Sequence, residues 1–188
     1  MARTSSTIHG YTAVPQNVGG GGLGSAEGPF HVGSEAWNDY QDVVGYREGF
    51  GVRFIGKAGS KVFFHFAVPT QPWYQPGTGS GTRTQLDQVF AMYRTTGTTR
   101  ITAVHVWDGA RAEFKLISSI TQGQGVFDGS NDQTQPANHP KLLEGANLWR
   151  VQREDIHYAV SISLLVDFGS QDASQIRFSM AGADFVTP

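Results

Sequence analysis

The stretch Thr99-Arg-Ile-Thr-Ala-Val-His-Val-Trp-Asp-Gly109 indicates the fold of the whole chain. Its residues alternate with a period of two, as the side chains of a pleated strand do. One face carries Ile101, Ala103, His105 and Trp107, and the other carries Thr102, Val104, Val106 and Asp108. The pair Asp108-Gly109 is a strong turn signal. The sequence therefore predicts a β-strand that ends in a turn and carries an imidazole and an indole on the same side.

Further segments of the same kind follow along the chain and are typical of strands, among them 61–68, 86–94, 111–120 and 158–168. No segment has the period of an amphipathic helix. The predicted fold is all-β, an antiparallel β-sandwich of jelly-roll-like type with about eight or nine strands. In 61–68 both faces are largely apolar, so this strand is expected to be covered on two sides.

At 188 residues the chain fits a single β-sandwich domain spanning 1–188. Within residues 1–40, the run Val18-Gly-Gly-Gly-Gly-Leu-Gly24 is costly to order, because glycine loses the most backbone freedom on folding. Residues 1–40 are therefore predicted to form a Gly-rich N-terminal arm.

The charge balance and the composition limit the classes of partner. Fourteen basic residues against sixteen acidic ones give a net charge of −2, which argues against nucleic-acid binding through phosphate neutralisation. No apolar segment is long enough to span a membrane or to act as a signal peptide, so a cytoplasmic or non-classically exported protein is expected. The chain has no cysteine, which leaves histidine and carboxylates as candidate metal ligands.

Aromatic residues in a loop rich in proline and glycine are the strongest functional signal. Trp73 and Tyr74 lie in the segment 69–84, and Trp107 with Asp108 ends a strand. These four residues are predicted to form a ligand-binding platform at one end of the sandwich, suited to stacking on a sugar or to burial against a neighbouring subunit. The alternative is that the aromatic side chains cap the protein's own core.

The candidates for enzyme chemistry are weaker. His65, His105 and His157 could converge on a metal ion, but they lack the paired spacing of recognisable metal sites. No nucleophile elbow is present and no pair of carboxylates has strand spacing, so no catalytic residue and no cofactor is predicted.

Several separated stretches together resemble an uncharacterised family of small bacterial β-rich proteins, a domain of unknown function. The stretches are Ile8-His-Gly10, Phe64-His-Phe66 with Pro69-Thr70, Val104-His-Val-Trp-Asp-Gly109, the segment 162–169, and Ala181-Gly-Ala-Asp-Phe185. The resemblance implies a bacterial single-domain β-protein, and it implies no catalytic residue.

Three functions remain open on the sequence alone. The first is a non-enzymatic, lectin-like module that binds carbohydrate through aromatic end loops. The second is a self-assembling structural protein, a subunit of a ring, shell or filament, in which the N-terminal arm locks a homo-oligomer together. The third is a metal-dependent enzyme with histidine ligands.

Overall fold

The computed structural model describes residues 2–17, 36–40, 43–48, 51–71, 73–74, 81–109, 115–117, 124–125, 127 and 142–187. The strands in this part of the chain are β1 (Ala2–His9), β2 (Val14–Asn17), β3 (Ala36–Tyr40), β4 (Val43–Glu48), β5 (Gly51–Gly56), β6 (Lys61–Val68), β7 (Trp73–Tyr74), β8 (Thr82–Arg83), β9 (Gln85–Thr96), β10 (Arg100–Asp108), β11 (Lys115–Ile117), β12 (Leu148–Asp155), β13 (Val160–Asp167) and β14 (Ser174–Thr187). A short 3-10 turn, Gly10–Thr12, joins β1 to β2. No helix among these residues is long and apolar enough to cross a membrane.

Two antiparallel sheets pack together, and the predicted all-β sandwich is confirmed. The seven-stranded sheet has the order β12-β9-β14-β5-β4-β3, with β1 also paired to β14, and the five-stranded sheet has the order β11-β10-β13-β6-β2. Strands β7 and β8 form a small separate pair. The described residues contain fourteen strands, more than the eight or nine predicted, because short strands such as β2 and β11 are too brief to show an alternating pattern.

Four phenylalanine rings join the two sheets at the centre of the core. Phe64 and Phe66 point inward from β6, and they meet Phe54 of β5 and Phe178 of β14. The ring centroids of Phe54 and Phe64 lie 4.4 Å apart, and Phe178 lies 5.2 Å from both Phe64 and Phe66. Each of these side chains is almost fully buried. Burying one such ring stabilises the fold by roughly 1.5–3 kcal/mol, so this cluster holds the sheets face to face.

The strand β10 departs from strict alternation at one point. Its pairing with β13 has a bulge between Ile101 and Ala103, so that one extra residue, Thr102, is accommodated in β10. The extra residue turns Ile101 into the core together with Val104 and Val106. The prediction that Ile101 shares a face with His105 is therefore wrong, while the placement of Val104 and Val106 opposite His105 is right.

The N-terminal segment is more regular than its composition indicates. Strand β1 pairs with β14 along its whole length, from Ala2 opposite Thr187 to His9 opposite Met180. Strand β2 then pairs with β6 in the other sheet. The glycine run of the predicted arm, 18–24, lies outside the described residues, as do most of 111–120 and 121–141.

Candidate functional site

Three neighbouring strands of the five-stranded sheet build a surface on the side away from the core. The pairing of β10 with β13, and of β13 with β6, places their outward residues in three cross-strand rows. We call this surface the outer face, and its rows are Ala103–Leu165–Phe63, His105–Ser163–His65 and Trp107–Ser161–Ala67. The alternate residues of the same strands, such as Phe64, Leu164 and Val104, fill the core.

Ser163 lies at the centre of the outer face and fixes two of its rings. The indole Nε1 of Trp107 donates a hydrogen bond to Ser163 Oγ at 2.9 Å. The same Oγ lies 2.7 Å from Nδ1 of His65. An indole N–H can only donate, so the serine hydroxyl accepts from Trp107 and has its own proton to give to an unprotonated His65 Nδ1. This chain of two bonds draws the indole across β13 toward the middle of the sheet.

The electrostatics of the outer face favour neutral imidazoles. Burial lowers the pKa of His65, and the nearby imidazole of His105 lowers it further. Burial also lowers the pKa of His105. Both rings are consequently neutral at pH 7, which agrees with His65 Nδ1 acting as the acceptor of the Ser163 proton.

The rings of the outer face lie close enough to form one aromatic surface. The ring of Phe63 lies near both imidazoles, with its centroid 4.8 Å from that of His105 and 6.2 Å from that of His65. The centroids of His105 and Trp107 are 6.4 Å apart. All four side chains are partly exposed. The surface thus combines ring faces with the polar atoms of the imidazoles and of the neighbouring Ser161.

Ser163 itself does not have the setting of a nucleophile. Its contact with His65 is short, as in a serine–histidine pair, but the residue is only 1% exposed. A substrate carbonyl could not reach Oγ without displacing the rings above it. The arrangement therefore orients Trp107 and His65 rather than activating the hydroxyl.

The four residues predicted to bind a ligand have different places in the structure. Trp107 belongs to the outer face. Asp108 instead fastens the turn into β13, because its carboxylate accepts the backbone N–H groups of His157 at 2.7 Å and Tyr158 at 2.8 Å. The backbone of Trp73 and Tyr74 forms β7 in the loop that leaves β6, and their side chains lie outside the part of the chain that the structure describes.

The three histidines proposed as metal ligands do not come together. His65 and His105 share a row of the outer face, with β13 between them. His157 lies beyond the end of β12, where its Nδ1 is 3.4 Å from Asp108. Among the described residues, no group of three or more histidine, aspartate or glutamate side chains could hold a metal ion.

Sequence reasoning misses Phe63 and Ser163 as members of the site. The apolar pattern of 61–68 places Phe63 on a covered face, although the structure leaves it partly exposed. Ser161 and Ser163 do carry a signal, because they alternate within the otherwise apolar segment 160–166 and so mark an outward side.

Comparisons with known proteins give no relative of this chain. No family model, no curated protein and no solved structure matches it. The resemblance to a family of small bacterial β-rich proteins therefore stays a prediction, and the outer face is interpreted from its own chemistry.

Proposed function

We propose that this protein is a carbohydrate-binding module and that the sugar lies on the outer face. The observation that carries the proposal is the group of four partly exposed rings around Ser163, from Phe63, His65, His105 and Trp107. The proposal keeps the ligand class predicted from the sequence. It moves the site from the end loops to the sheet, with Trp107 common to both.

The chemistry of the outer face matches what a sugar ring needs. The C–H groups of a sugar pack against the faces of aromatic rings, while its hydroxyls need neutral donors and acceptors at the margins. Trp107 already gives its N–H to Ser163, so it has a ring face to offer a ligand. Neutral imidazoles can both donate and accept, which suits hydroxyl groups better than a charged side chain does.

The shape of the surface favours a chain of sugars over a small enclosed ligand. Residues on three adjacent strands lie at the strand spacing of about 4.8 Å, so the three rows cover roughly 10 Å across the sheet. Such a span accommodates two sugar units of a polysaccharide lying flat. Ala67 and Ala103 lie at two corners of the outer face, and their small side chains leave the edges of the surface open to a ligand.

The test is retention on insoluble polysaccharides combined with a glycan array. Trp107→Ala and Phe63→Ala should each abolish retention, because each removes a ring face. Tyr158→Ala is the matched control, since Tyr158 is a solvent-exposed aromatic residue, 53% accessible, outside the outer face. Its loss should leave binding unchanged.

A second variant keeps the test valid if removal of a ring disturbs the fold. Ala67 is exposed on the outer face, so Ala67→Arg adds bulk over the surface without opening a cavity in the core. It should block retention while the thermal unfolding midpoint stays at the wild-type value. Retention by folded Trp107→Ala and Ala67→Arg proteins, or no binding of any glycan by the wild type, would reject the proposal.

Self-association is the second candidate, and one observation favours it. Val14 of β2 pairs with His65 and is 48% exposed, so the apolar surface continues to an edge of the five-stranded sheet. An apolar surface that reaches a sheet edge suits a second copy of the chain. Light scattering at increasing protein concentration tests this candidate: Val14→Lys should dissociate a dimer, and a monomer at every concentration would exclude it.

A further inference from the structure

A cleft opens at the end of the sandwich where β14 finishes. Some of its polar side chains stand at strand positions whose neighbours on the same face are core residues. On β1, Ile8, Ser6 and Thr4 lie opposite Ala181, Ala183 and Phe185; Ile8 and Ser6 are partly buried, and Thr4 is exposed at the mouth of the cleft. Those three partners are buried in the core, and Ile8 packs against it. Ser6 and Thr4 therefore have hydroxyls where the pattern favours apolar side chains.

The same change from apolar to hydroxyl occurs on the two neighbouring strand ends. On β14, buried Phe185 is followed two residues later by Thr187, and before β9, Thr84 precedes core residue Leu86 by two. Thr84 and Thr187 are both almost fully buried. Three adjacent strands thus carry hydroxyl-bearing side chains at this end of the sandwich, and on β1 the change comes earlier, since Thr4 lies opposite Phe185 and Ala2 lies opposite Thr187.

These hydroxyl-bearing residues line a single cavity of about 230 Å³. Gln71, from the chain that leaves β6, adds an amide to the lining, and Phe185 adds an aromatic ring. At roughly 30 Å³ per molecule of liquid water, the volume equals about seven or eight waters. The cavity is large enough for one small ring.

Two carboxylates on the strands that border the cleft, Asp87 of β9 and Asp184 of β14, already have hydrogen-bonding partners. Asp87 accepts from Arg3 and from Arg153, whose Nε lies 2.7 Å from the carboxylate. Asp184 accepts from Ser5 Oγ at 2.6 Å and from Gln88. None of the residues that line the cleft carries a charge. The lining therefore offers hydroxyl and amide groups to a neutral ligand and has no counter-ion for a charged one.

We propose that this cleft binds a neutral polyhydroxylated ring, a monosaccharide or a cyclic polyol. The hydroxyls of Thr4, Ser6, Thr84 and Thr187 can each donate and accept, as sugar hydroxyls do, and Phe185 provides an apolar surface for the C–H side of the ring. The cleft lies between the sheets, whereas the outer face lies on the opposite side of β6. The proposal consequently does not depend on ligand binding at the outer face.

The experiment is an NMR titration of the full chain with glucose, galactose and myo-inositol, with glucuronate as a charged comparison. Backbone amide signals of β1 and of the end of β14 should shift on addition of at least one neutral probe and not with glucuronate. Shifts confined to the outer face, or equal shifts with glucuronate, would overturn the assignment of this cleft to a neutral polyol.

Matched variants of β1 separate the cleft from a general effect on the strand. Thr4→Val removes one lining hydroxyl with little change in shape, and it should weaken binding about threefold to tenfold, the cost of one net hydrogen bond. Thr7→Val is the control, because Thr7 lies on the opposite face of the same strand from Thr4 and does not line the cleft. Equal affinity of the two variants would overturn the proposal.

A filling substitution provides an independent arm. Ser6→Leu occupies the cleft with an apolar side chain at a position next to core residues, so the protein should stay folded and lose the neutral probe. Binding of that probe by a folded Ser6→Leu protein would likewise overturn the proposal. Ser6→Leu should still be retained on polysaccharide, because the outer face is unchanged. The two proposed binding sites can therefore be tested separately.

Discussion

Replacing Ser163 by alanine is the sharpest test of how the outer face is held together. The hydroxyl takes part in two hydrogen bonds, with Trp107 at 2.9 Å and with His65 at 2.7 Å. A net hydrogen bond contributes about 0.5–1.5 kcal/mol, so two of them contribute about 1–3 kcal/mol. Both ring partners are partly exposed and water can replace part of the loss. We expect Ser163→Ala to lower the free energy of unfolding by about 2 kcal/mol.

Urea unfolding followed by tryptophan fluorescence measures this loss. With a slope of about 2 kcal/mol per molar urea, a loss of about 2 kcal/mol moves the midpoint down by about 1 M. Ser161→Ala is the control, because Ser161 lies on the same strand and face and is partly exposed. Its effect should stay within about 0.5 kcal/mol.

A double-mutant cycle with Trp107→Phe isolates the bond between the two side chains. If the indole N–H and the serine hydroxyl stabilise each other, the double variant should lose about 1 kcal/mol less than the sum of the single losses. Additive losses, or a midpoint for Ser163→Ala within error of the wild type, would refute the view that Ser163 organises the outer face.

Three further predictions concern pH, the core and the turn. The folded protein keeps the pKa values of His65 and His105 below the ordinary 6.5, so near and below that pH it binds fewer protons than the unfolded chain. The free energy of unfolding should therefore be constant above about pH 7.5 and fall as the pH decreases through 6.5. In a variant with both histidines replaced by glutamine, the urea midpoint should change less between about pH 7.5 and 5.5. A Cβ at Gly56 would overlap the fully buried ring of Phe168, so Gly56→Ala should destabilise by about 1–3 kcal/mol in thermal unfolding, and a wild-type melting temperature would contradict the tight packing. Asp108→Ala removes the acceptor of two backbone N–H groups, so it should lower the free energy of unfolding by about 1 kcal/mol and speed the hydrogen exchange of those amides. Polysaccharide retention should stay intact, and its loss would show that Asp108 touches the ligand.

The parts of the fold that depend on local pattern could be predicted from the sequence. Alternation in 61–68 correctly places Phe64 and Phe66 on one face, because every second residue of a strand faces the same way, but the expectation that both faces are covered is wrong, since Phe63 and His65 are partly exposed. The bulge in β10 could not be predicted, since no turn residue marks Thr102 and the extra residue is defined only by its pairing with β13. Strict alternation therefore places Ile101 on the wrong face.

For the candidate site, the sequence predicts which residues share a face of one strand, but it does not predict which strands are neighbours in the sheet. The sequence places His105 and Trp107 on one side of a strand, and the structure agrees. It does not reveal that β13 lies between β10 and β6, and this neighbour relation brings Ser163 opposite both His105 and His65. Strand order joins residues about 60 and 100 positions apart in the chain, and no local periodicity encodes it.

The position of β14 has a consequence for the order in which the protein can assemble. Along one side β14 pairs with β9, and along the other it pairs first with β5 and then with β1. The seven-stranded sheet therefore stays in separate pieces during synthesis until residues 174–187 have left the ribosome. Until then β9, β5 and β1 have unpaired edges that could associate with other chains. The seven-stranded sheet is therefore expected to close only after residues 174–187 are available, through long-range contacts that form over milliseconds to seconds.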